Sequence, residues 1–536
     1  MAYQIERCSV FVPNGVVATS QALAAGAGLD VLRRGGNAID AAIATAVALT
    51  VVQPGSNDIG GDLFALVWDG ERLHGLNASG RSPALLNREL VLSRAPRAAA
   101  SAALGGHQAT VRSAMPDRGW LPVTVPGAPR GWRDLHERFG SLPFADLFTD
   151  AIGYAEHGYP VSPAVAASWR RAAEVVYPAL RGPEFAEWGR VFTLDDRAPA
   201  AGERWSNPDA GRTLRSIAGT YGDSFYRGEV AEAIVAHAER TGGLLREGDL
   251  ASHSSDWVQP ISMRYRGHEV WELPPNGQGI AALIALGVLD GYEGSPGLHE
   301  QIEAVKLGFA DAHAYVADPR VGAPVAELLD SAYLDGRRAS IGPRAGLYVA
   351  GEPTRGGTVY LCTADRDGRM VSLIQSNYMG FGSFVVVPGT GVGLQDRGAG
   401  FVLDEGHPNV VGPAKRPYHT IIPAFLTRDG EPVGPFGVMG GHMQPQGHVQ
   451  VVLSTVDGRL DPQAALNRPR WYWHSGLDVQ VEPGLAGEAD ELRRRGHRVS
   501  IATEPGVFGA GQAIWRTASG YVAGSEPRVD GAAVGH

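Results

Sequence analysis

The chain has 536 residues, of which 44% are apolar and 19% charged, so it can bury a large core and is not a disordered protein. Its net charge of -10, with no run of Lys or Arg, argues against nucleic acid or an anionic membrane surface as a partner. Two cysteines, Cys8 and Cys362, are too few to indicate a disulfide framework or a cysteine-based metal site.

Neither the N-terminus nor the most apolar stretch predicts membrane targeting. Residues 1–7 lack the basic patch and apolar run of a secretory signal. The most apolar stretch, 38–52, is too short to span a bilayer and is dominated by alanine. We therefore expect a cytoplasmic protein without a membrane partner.

The first part of the chain is predicted to be rich in helices. Residues 16–34 have the pattern of a helix that ends at a Gly-Gly pair. Asn37 then resembles an N-cap, with Asp40 placing negative charge in the first turn. Residues 41–49 carry small side chains on every face, which is typical of a helix buried on all sides. Residues 62–68 are predicted to form a strand.

Further helices are predicted at 143–156, 228–240 and 298–316. Residues 90–120 have little pattern and are expected to form a surface excursion. Beyond residue 357 strands predominate. Residues 358–364 and 369–375 are predicted to pair as a hairpin across 365–368. More strands are predicted at 384–387, 421–426 and 433–438, and a helix at 447–456. The helix-rich and strand-rich parts meet at the sequence Gly-Gly-Thr.

That sequence, Gly356-Gly357-Thr358, is the strongest chemical signal in the chain. A threonine hydroxyl is a poor nucleophile unless a base lies beside it, and cleavage before Thr358 would make its own α-amine that base. Glycine tolerates the strained backbone that such a cleavage needs. A loop that enters a strand has the same local pattern, so this sequence alone leaves both interpretations open.

Other motifs have weaker implications. Gly440 and Gly441 follow an apolar segment and precede a predicted helix, where paired backbone amides can hold an oxyanion, although a plain strand-to-helix turn is the commoner interpretation of this pattern alone. Histidines recur in the same region, but His442 and His448 are not at the i, i+4 spacing of helical metal ligands, and we predict no metal site. A Gly-x-Ser-x-Gly elbow is absent, so a conventional serine hydrolase is not supported.

Taken in order, many short motifs closely resemble the γ-glutamyltransferase family of N-terminal nucleophile hydrolases. In the first part these motifs are 35–42, 60–61, 125–127, 225–228, 242–244, 249–250, 264–267 and 274–275. In the second part they are Thr358, 365–368, 381–382, 415–417 and 440–441. The resemblance covers nearly the whole chain, and so many ordered matches are more specific than any one motif.

The resemblance implies an α+β fold, a four-layer αββα sandwich, made as an inactive precursor that cuts itself between Gly357 and Thr358. The products would be a large subunit, 1–357, which is helix-rich and contributes half of the sandwich, and a strand-rich small subunit, 358–536. Thr358 would be the nucleophile, Gly440 and Gly441 the oxyanion hole, and Ser376 a second hydroxyl supporting the nucleophile. No cofactor is implied, and a dimer of heterodimers is left open.

The departures from the family concern substrate binding. In register with Thr358, the family's glutamyl-binding asparagine is replaced by Tyr378, and its ammonium-binding aspartate by Gly400. Its serine pair is replaced by His419 and Thr420. The family's arginine position holds Ser79, with Arg81 two residues further on. Losing the aspartate would cost about 2–5 kcal/mol of binding, which predicts an acyl group other than glutamyl.

The side chains predicted to meet a carboxylate or carbonyl of that acyl group are Arg81, Tyr378, Arg397, His419 and Thr420. The first hypothesis is an amidohydrolase or acylase for a small carboxylate-bearing acyl compound. The alternatives are a γ-glutamyltransferase or glutathione hydrolase, a C–C bond hydrolase of an oxalyl or ketoacid intermediate in antibiotic biosynthesis, and an uncleaved, non-catalytic scaffold.

Overall fold

The computed structural model describes residues 6–94, 115–348, 357–504 and 506–536. Its strands, in chain order, are β1 (Val10–Val12), β2 (Val16–Thr19), β3 (Asp62–Trp68), β4 (Leu73–Asn77), β5 (Tyr159–Pro160), β6 (Arg204–Trp205), β7 (Asp256–Val258), β8 (Ile261–Tyr265), β9 (His268–Glu272), β10 (Gly357–Ala364), β11 (Met370–Tyr378), β12 (Val386–Val387), β13 (Val392–Gly393), β14 (Ala424–Arg428), β15 (Glu431–Met439), β16 (Trp471–Ser475), β17 (Asp478–Val481), β18 (Arg498–Ile501), β19 (Ala510–Thr517), β20 (Gly520–Ser525) and β21 (Ala532–Gly535).

The α-helices of the described residues are α1 (Ala22–Arg33), α2 (Ala38–Val52), α3 (Arg88–Arg94), α4 (Ala128–Phe139), α5 (Thr149–His157), α6 (Pro163–Arg171), α7 (Ala186–Phe192), α8 (Pro208–Gly219), α9 (Asp223–Arg227), α10 (Glu229–Thr241), α11 (Glu247–Ala251), α12 (Gly279–Asp290), α13 (Leu298–Tyr315), α14 (Val325–Leu328), α15 (Ser331–Ala339), α16 (Met443–Val456), α17 (Pro462–Asn467) and α18 (Ala489–Arg494). In this part of the chain, no helix is both long and apolar enough to cross a membrane.

Two seven-stranded antiparallel sheets form the centre of the molecule. The first has the order β21-β2-β10-β11-β3-β4-β7 and the second the order β1-β20-β19-β15-β14-β9-β8. Their facing sides enclose an apolar cluster that includes Phe64, Tyr360, Phe425 and Ile514. Helices α1 and α2 pack on the first sheet, and α12 and α16 on the second. The predicted αββα sandwich is confirmed.

Each sheet contains strands from both sides of the Gly357–Thr358 bond. In the first sheet β10 pairs with β2, through Leu361 and Thr19, and β11 pairs with β3. In the second sheet β14 pairs with β9. Neither predicted subunit, 1–357 or 358–536, therefore forms a sheet of the sandwich by itself, and backbone hydrogen bonds join the two parts.

Local sequence signals account for several of these elements. The side chain of Asn37 accepts hydrogen bonds from the amides of Ile39 and Asp40, and Asp40 accepts one from the amide of Asn37, so the predicted N-cap of α2 is confirmed. Every residue of α2 is buried, as its small side chains predict. The turn after Ala364 closes the predicted hairpin between β10 and β11.

Several predicted boundaries are wrong. The strands predicted at 384–387 and 421–426 begin at Val386 and Ala424. Residues 16–19 belong to strand β2, not to the helix predicted over 16–34, because their backbone pairs with both β10 and β21. Helix α16 begins at Met443, four residues before the predicted start. Of the excursion predicted at 90–120, residues 95–114 lie outside the described residues.

Candidate active site

The hydroxyls of Thr358 and Ser376 meet at one end of the first sheet. Gly357 pairs with Tyr378 and Val359 with Gln375, so a local irregularity lies between β10 and β11 at Thr358. There Thr358 Oγ1 is 3.1 Å from Ser376 Oγ. Both side chains are buried. The structure thus brings together the predicted nucleophile and its predicted supporting hydroxyl.

Arg397 links this pair to Thr420 and Tyr378. It begins a short 3₁₀ turn, Arg397–Gly400, and its side chain is completely buried. Its Nη2 donates to Ser376 Oγ at 3.2 Å, and its Nη1 donates to Thr420 Oγ1 at 2.7 Å. The guanidinium carbon lies 4.3 Å from the centre of the Tyr378 ring, a cation–π contact. Four of the predicted site residues therefore contact one another.

Tyr378 adopts a backbone conformation that residues other than glycine rarely take. Its φ is +79° and its side chain is buried. Such a conformation costs about 1 kcal/mol or more, and favourable packing around Tyr378 must offset this cost. In this conformation, at the end of β11, the Tyr378 amide donates to Ser376 Oγ at 2.8 Å. The Tyr378 ring lies against Arg397.

A buried carboxylate near Arg397 balances part of its charge. Asp62, the first residue of β3, accepts hydrogen bonds from the amides of Gly80 and Gly127. Burial raises the pKa of Asp62 to about 6, although the charge of Arg397 acts in the opposite direction. Burial also lowers the pKa of Arg397 to about 10, opposed first by Asp62. Arg397 remains a cation at neutral pH.

His419 contacts this carboxylate. Its Nε2 is 3.1 Å from Asp62 Oδ2, and its Nδ1 accepts from the amide of Ile421 at 3.3 Å. Burial, and then the charge of Arg397, hold the pKa of His419 well below its ordinary value, so the ring is neutral. Contact between His419 and a substrate would have to replace one of these two hydrogen bonds.

Gly440 and Gly441 lie beside Thr420. Gln278 Nε2 donates to the carbonyl of Thr420 at 2.7 Å and to that of Gly441 at 2.9 Å, which ties the two segments together. Both glycines have positive φ, 134° and 63°, and the 14-residue helix α16 starts just after them. A helix N-terminus favours negative charge, so this turn suits the predicted oxyanion hole.

Arg81 makes its contacts elsewhere. Its Nη1 pairs with Asp318 Oδ2 at 3.0 Å, and Asp318 also binds the side chain of Arg320 and the amide of Arg416. These bonds, strongest from Arg320, hold the pKa of Asp318 at about 2. In the precursor structure Arg81 therefore belongs to an ion-pair network and not to the group around Arg397.

Two of the histidines in the second part of the chain, His419 and His448, each contact a buried carboxyl group. His419 contacts Asp62, and His448 contacts Glu272. Within the described ranges, one group has ligand atoms close enough to share an ion: His299, Glu303 and His497. It lies outside the candidate active site, and Lys306 already binds Glu303 at 2.6 Å.

Two residues near the site were not identified from the sequence, Asp62 and Gln278. A carboxylate at the first position of the apolar strand β3 was an available signal for Asp62, because a charge at the end of a buried strand needs a partner. Gln278 has no comparable local signal, since its role depends on two carbonyls that are distant in sequence.

Comparison with known proteins agrees with this geometry. The model of the γ-glutamyltranspeptidase family matches residues 24–536. A glutathione hydrolase-like proenzyme of Bacillus subtilis is 34% identical over 98% of this chain and 99% of its own length. An oxamate amidohydrolase proenzyme of Klebsiella pneumoniae is 33% identical, over 98% of each chain.

Solved structures show the same fold over the whole chain or over a large part of it. A cephalosporin acylase from Bacillus halodurans is 49% identical, with a TM-score of 0.93 over 100% of this chain and 98% of the acylase. A γ-glutamyltranspeptidase from Helicobacter pylori is 28% identical, with a TM-score of 0.55 over 62% of this chain and 93% of its own.

The fold and the family match together define the class of this protein: it is a self-processing hydrolase with an N-terminal nucleophile. The chain belongs to the γ-glutamyltranspeptidase family. Its relatives are proenzymes of hydrolases and acylases, so the chain is an enzyme of this kind and not a non-catalytic scaffold.

Proposed function

We propose that the chain cleaves itself between Gly357 and Thr358 and then acts as an amidohydrolase or acylase on a small acyl compound that carries a carboxylate. Thr358 Oγ1 attacks the amide carbonyl while the freed α-amine of Thr358 takes up the hydroxyl proton; the C–N bond then breaks, and the amine leaves with that proton as the acyl-enzyme ester forms. The amides of Gly440 and Gly441 stabilise the oxyanion, and water then hydrolyses the acyl-enzyme.

The observation that carries this proposal is the contact of Thr358 with Ser376, and of Ser376 with Arg397, in one buried group. This contact supports the proposal, because Thr358 as nucleophile would have a hydroxyl donor and a carboxylate-binding cation close to it. The name of the Klebsiella relative, an oxamate amidohydrolase, agrees with a small carboxylate-bearing substrate.

Glutathione hydrolysis is the competing function, because several relatives are named for it. Turnover of a γ-glutamyl anilide is the assay that separates the two. Efficient turnover of that compound by the processed protein would show that its substrates are γ-glutamyl compounds and that the proposed substrate class is wrong.

The proposed cleavage is tested by replacing the nucleophile. Thr358→Ala should leave a single chain of 56.6 kDa with no measurable turnover, whereas the unaltered protein separates into two fragments on a denaturing gel. Thr363→Ala is the matched control, because Thr363 lies on the same strand and its hydroxyl donates to the carbonyl of Ala38, away from Ser376. Fragments of unchanged mass from Thr358→Ala would disprove the cleavage site.

A further inference from the structure

Helix α13 carries a row of buried ionisable side chains along one face. His299, Glu303 and Lys306 follow one another at helical spacing, so they share that face, and all three are buried. Lys306 Nζ binds Glu303 Oε1 at 2.6 Å. A buried charged pair needs further polar partners, so the segment that covers this face has to supply them.

The covering segment, 342–348, is the one that leads towards the proposed cleavage bond. Glu303 Oε2 accepts a hydrogen bond from the amide of Gly346 at 2.8 Å. Lys306 Nζ donates to the carbonyl of Gly346 at 3.3 Å. The side chain of Tyr348 also hydrogen-bonds Glu303. The buried ion pair therefore holds both backbone polar groups of one residue in this segment.

The same segment also contacts residues that follow the proposed cleavage bond. The amide of Ala345 donates to the carbonyl of Arg495 at 2.7 Å. His299 Nε2 lies 2.9 Å from the carbonyl oxygen of Gly342, and His299 Nδ1 lies 2.9 Å from Nε2 of His497. Arg495 and His497 belong to the proposed small subunit, so these contacts cross the boundary between the two proposed chains.

The fit of the segment depends on a glycine. A Cβ added at Gly346 would meet the ring of Tyr348 at 2.7 Å and Glu303 Oε2 at 3.0 Å. The Tyr348 ring would then have to move and give up its bond to Glu303. A Cβ added at Gly342, in the same segment, would have nothing within 4 Å. The contact at Gly346 is therefore close and specific.

On the basis of the proposed cleavage, we infer that residues 342–348 stay bound to this surface after the chain is cut. The end of the large subunit is thereby held on the small subunit. Each of these contacts joins groups away from the Gly357–Thr358 bond, so none is lost when that bond breaks. The segment also stays tethered to helix α15, which ends at Ala339, and a short tether keeps its effective concentration at the surface high.

Hydrogen exchange tests this inference without a substrate. The processed protein would be compared with the uncleaved Thr358→Ala precursor, using the peptide fragments that cover 342–348. Exchange of this segment should be slow in both proteins and should agree within about twofold, because the same amides stay hydrogen-bonded. Exchange at the rate of an unstructured peptide after processing would overturn the inference.

A pair of variants assigns the protection to the contact at Gly346. Gly346→Ala should speed exchange of 342–348 in the processed protein by about tenfold or more, because the added methyl group displaces Tyr348 and Glu303. Gly342→Ala is the matched control, since its methyl group would enter open space, and it should exchange as the unaltered protein does. Equal exchange by the two variants would exclude this contact as the anchor.

Intact mass, measured on the same samples, separates failure of the inference from failure of the proposed function. A wild-type chain that stays at 56.6 kDa would disprove the cleavage, and the inference with it. A chain that is cut, but whose segment 342–348 exchanges freely, would leave the hydrolase intact and show that the segment is released. This comparison uses the unaltered protein, so it does not depend on the folding of either glycine variant.

Discussion

At the scale of single residues, Ser376 is the most strongly constrained side chain of the site. Arg397 and the amide of Tyr378 both donate to Ser376 Oγ. A serine hydroxyl has two acceptor positions and one hydrogen, so any bond it makes to Thr358 Oγ1 uses its own hydrogen. We therefore propose that Ser376 stabilises negative charge on Thr358 Oγ1 during the proposed attack.

Ser376→Ala should lower kcat by roughly a hundredfold with little change in KM, because removing one donor to a developing charge has an effect of about this size. The rate is expressed per processed molecule, with processing measured by intact mass. Ser372→Ala is the control, since Ser372 is equally buried on β11 and bonds Tyr360. A KM increase without loss of kcat would indicate a role in substrate binding instead.

Residue types, and their positions relative to Thr358 when compared with the family's motifs, predicted much of the group of residues around Thr358. Thr358, Ser376, Arg397 and Thr420 were identified from the sequence, and the structure places them in contact. Asp62 was not identified, because its effect on Arg397 depends on a strand some 300 residues earlier in the chain. The contact of Arg81 with Asp318 was likewise outside the reach of sequence patterns.

At the scale of elements, the close packing of α1 on α2 depends on a glycine. A Cβ added at Gly28 would meet the side-chain oxygen of Thr45 and, at 3.0 Å, the carbonyl oxygen of Ala41. Both belong to α2, the buried helix against which β10 packs. The helix that supports the nucleophile strand therefore has little freedom to move.

Gly28→Ala should destabilise the protein by about 1–3 kcal/mol, because the added methyl group overfills a packed contact between helices. Gly26→Ala is the matched control, since Gly26 lies in the same helix, is exposed, and would have nothing within 4 Å of an added Cβ. That control should be neutral or stabilising by up to about 1 kcal/mol. Thermal unfolding of both variants makes the comparison, and equal midpoints would contradict the packing argument.

Local sequence patterns predicted whether a segment forms a helix or a strand, except where pairing with distant strands determined the structure. The cap of α2 and the β10–β11 hairpin were predicted from a few adjacent residues. Residues 16–19 were expected in a helix, yet this Val-Val-Ala-Thr segment pairs with β10 and β21 and forms a strand. β-Branched side chains suit both a buried strand and an apolar helix, so the neighbouring strands decide.

At the scale of the whole molecule, buried ionisable groups set the response to pH. Burial lowers the pKa of several histidines, to about 3 for His253 and His497 and to about 4 for His313. Unfolded histidine binds a proton below about pH 6.5, so each neutral buried ring destabilises the fold progressively as pH falls from there. Buried carboxyls oppose this trend: burial raises the pKa of Asp58 to about 8 and of Asp396 to about 7.

These carboxyls favour the fold as pH falls from their raised pKa values to about 4, below which unfolded carboxyls are protonated too. The midpoint of thermal unfolding should therefore change little between pH 6 and 4.5 and fall steeply below pH 4. Each histidine that remains neutral contributes about 1.4 kcal/mol per pH unit to that fall. His253→Gln should make the decline shallower, and a midpoint that stays constant down to pH 3.5 would contradict the prediction.

The sequence by itself determined the family, and through that resemblance it predicted the αββα sandwich and a nucleophile at Thr358, because the family's motifs lie within short segments. Only the tertiary structure decided that Arg81 pairs with a carboxylate while Arg397 has none at ion-pair distance among the described residues, and that each sheet joins strands from both sides of Gly357–Thr358. Charge balance and strand pairing depend on residues that are far apart in the chain, so no local sequence pattern predicts them.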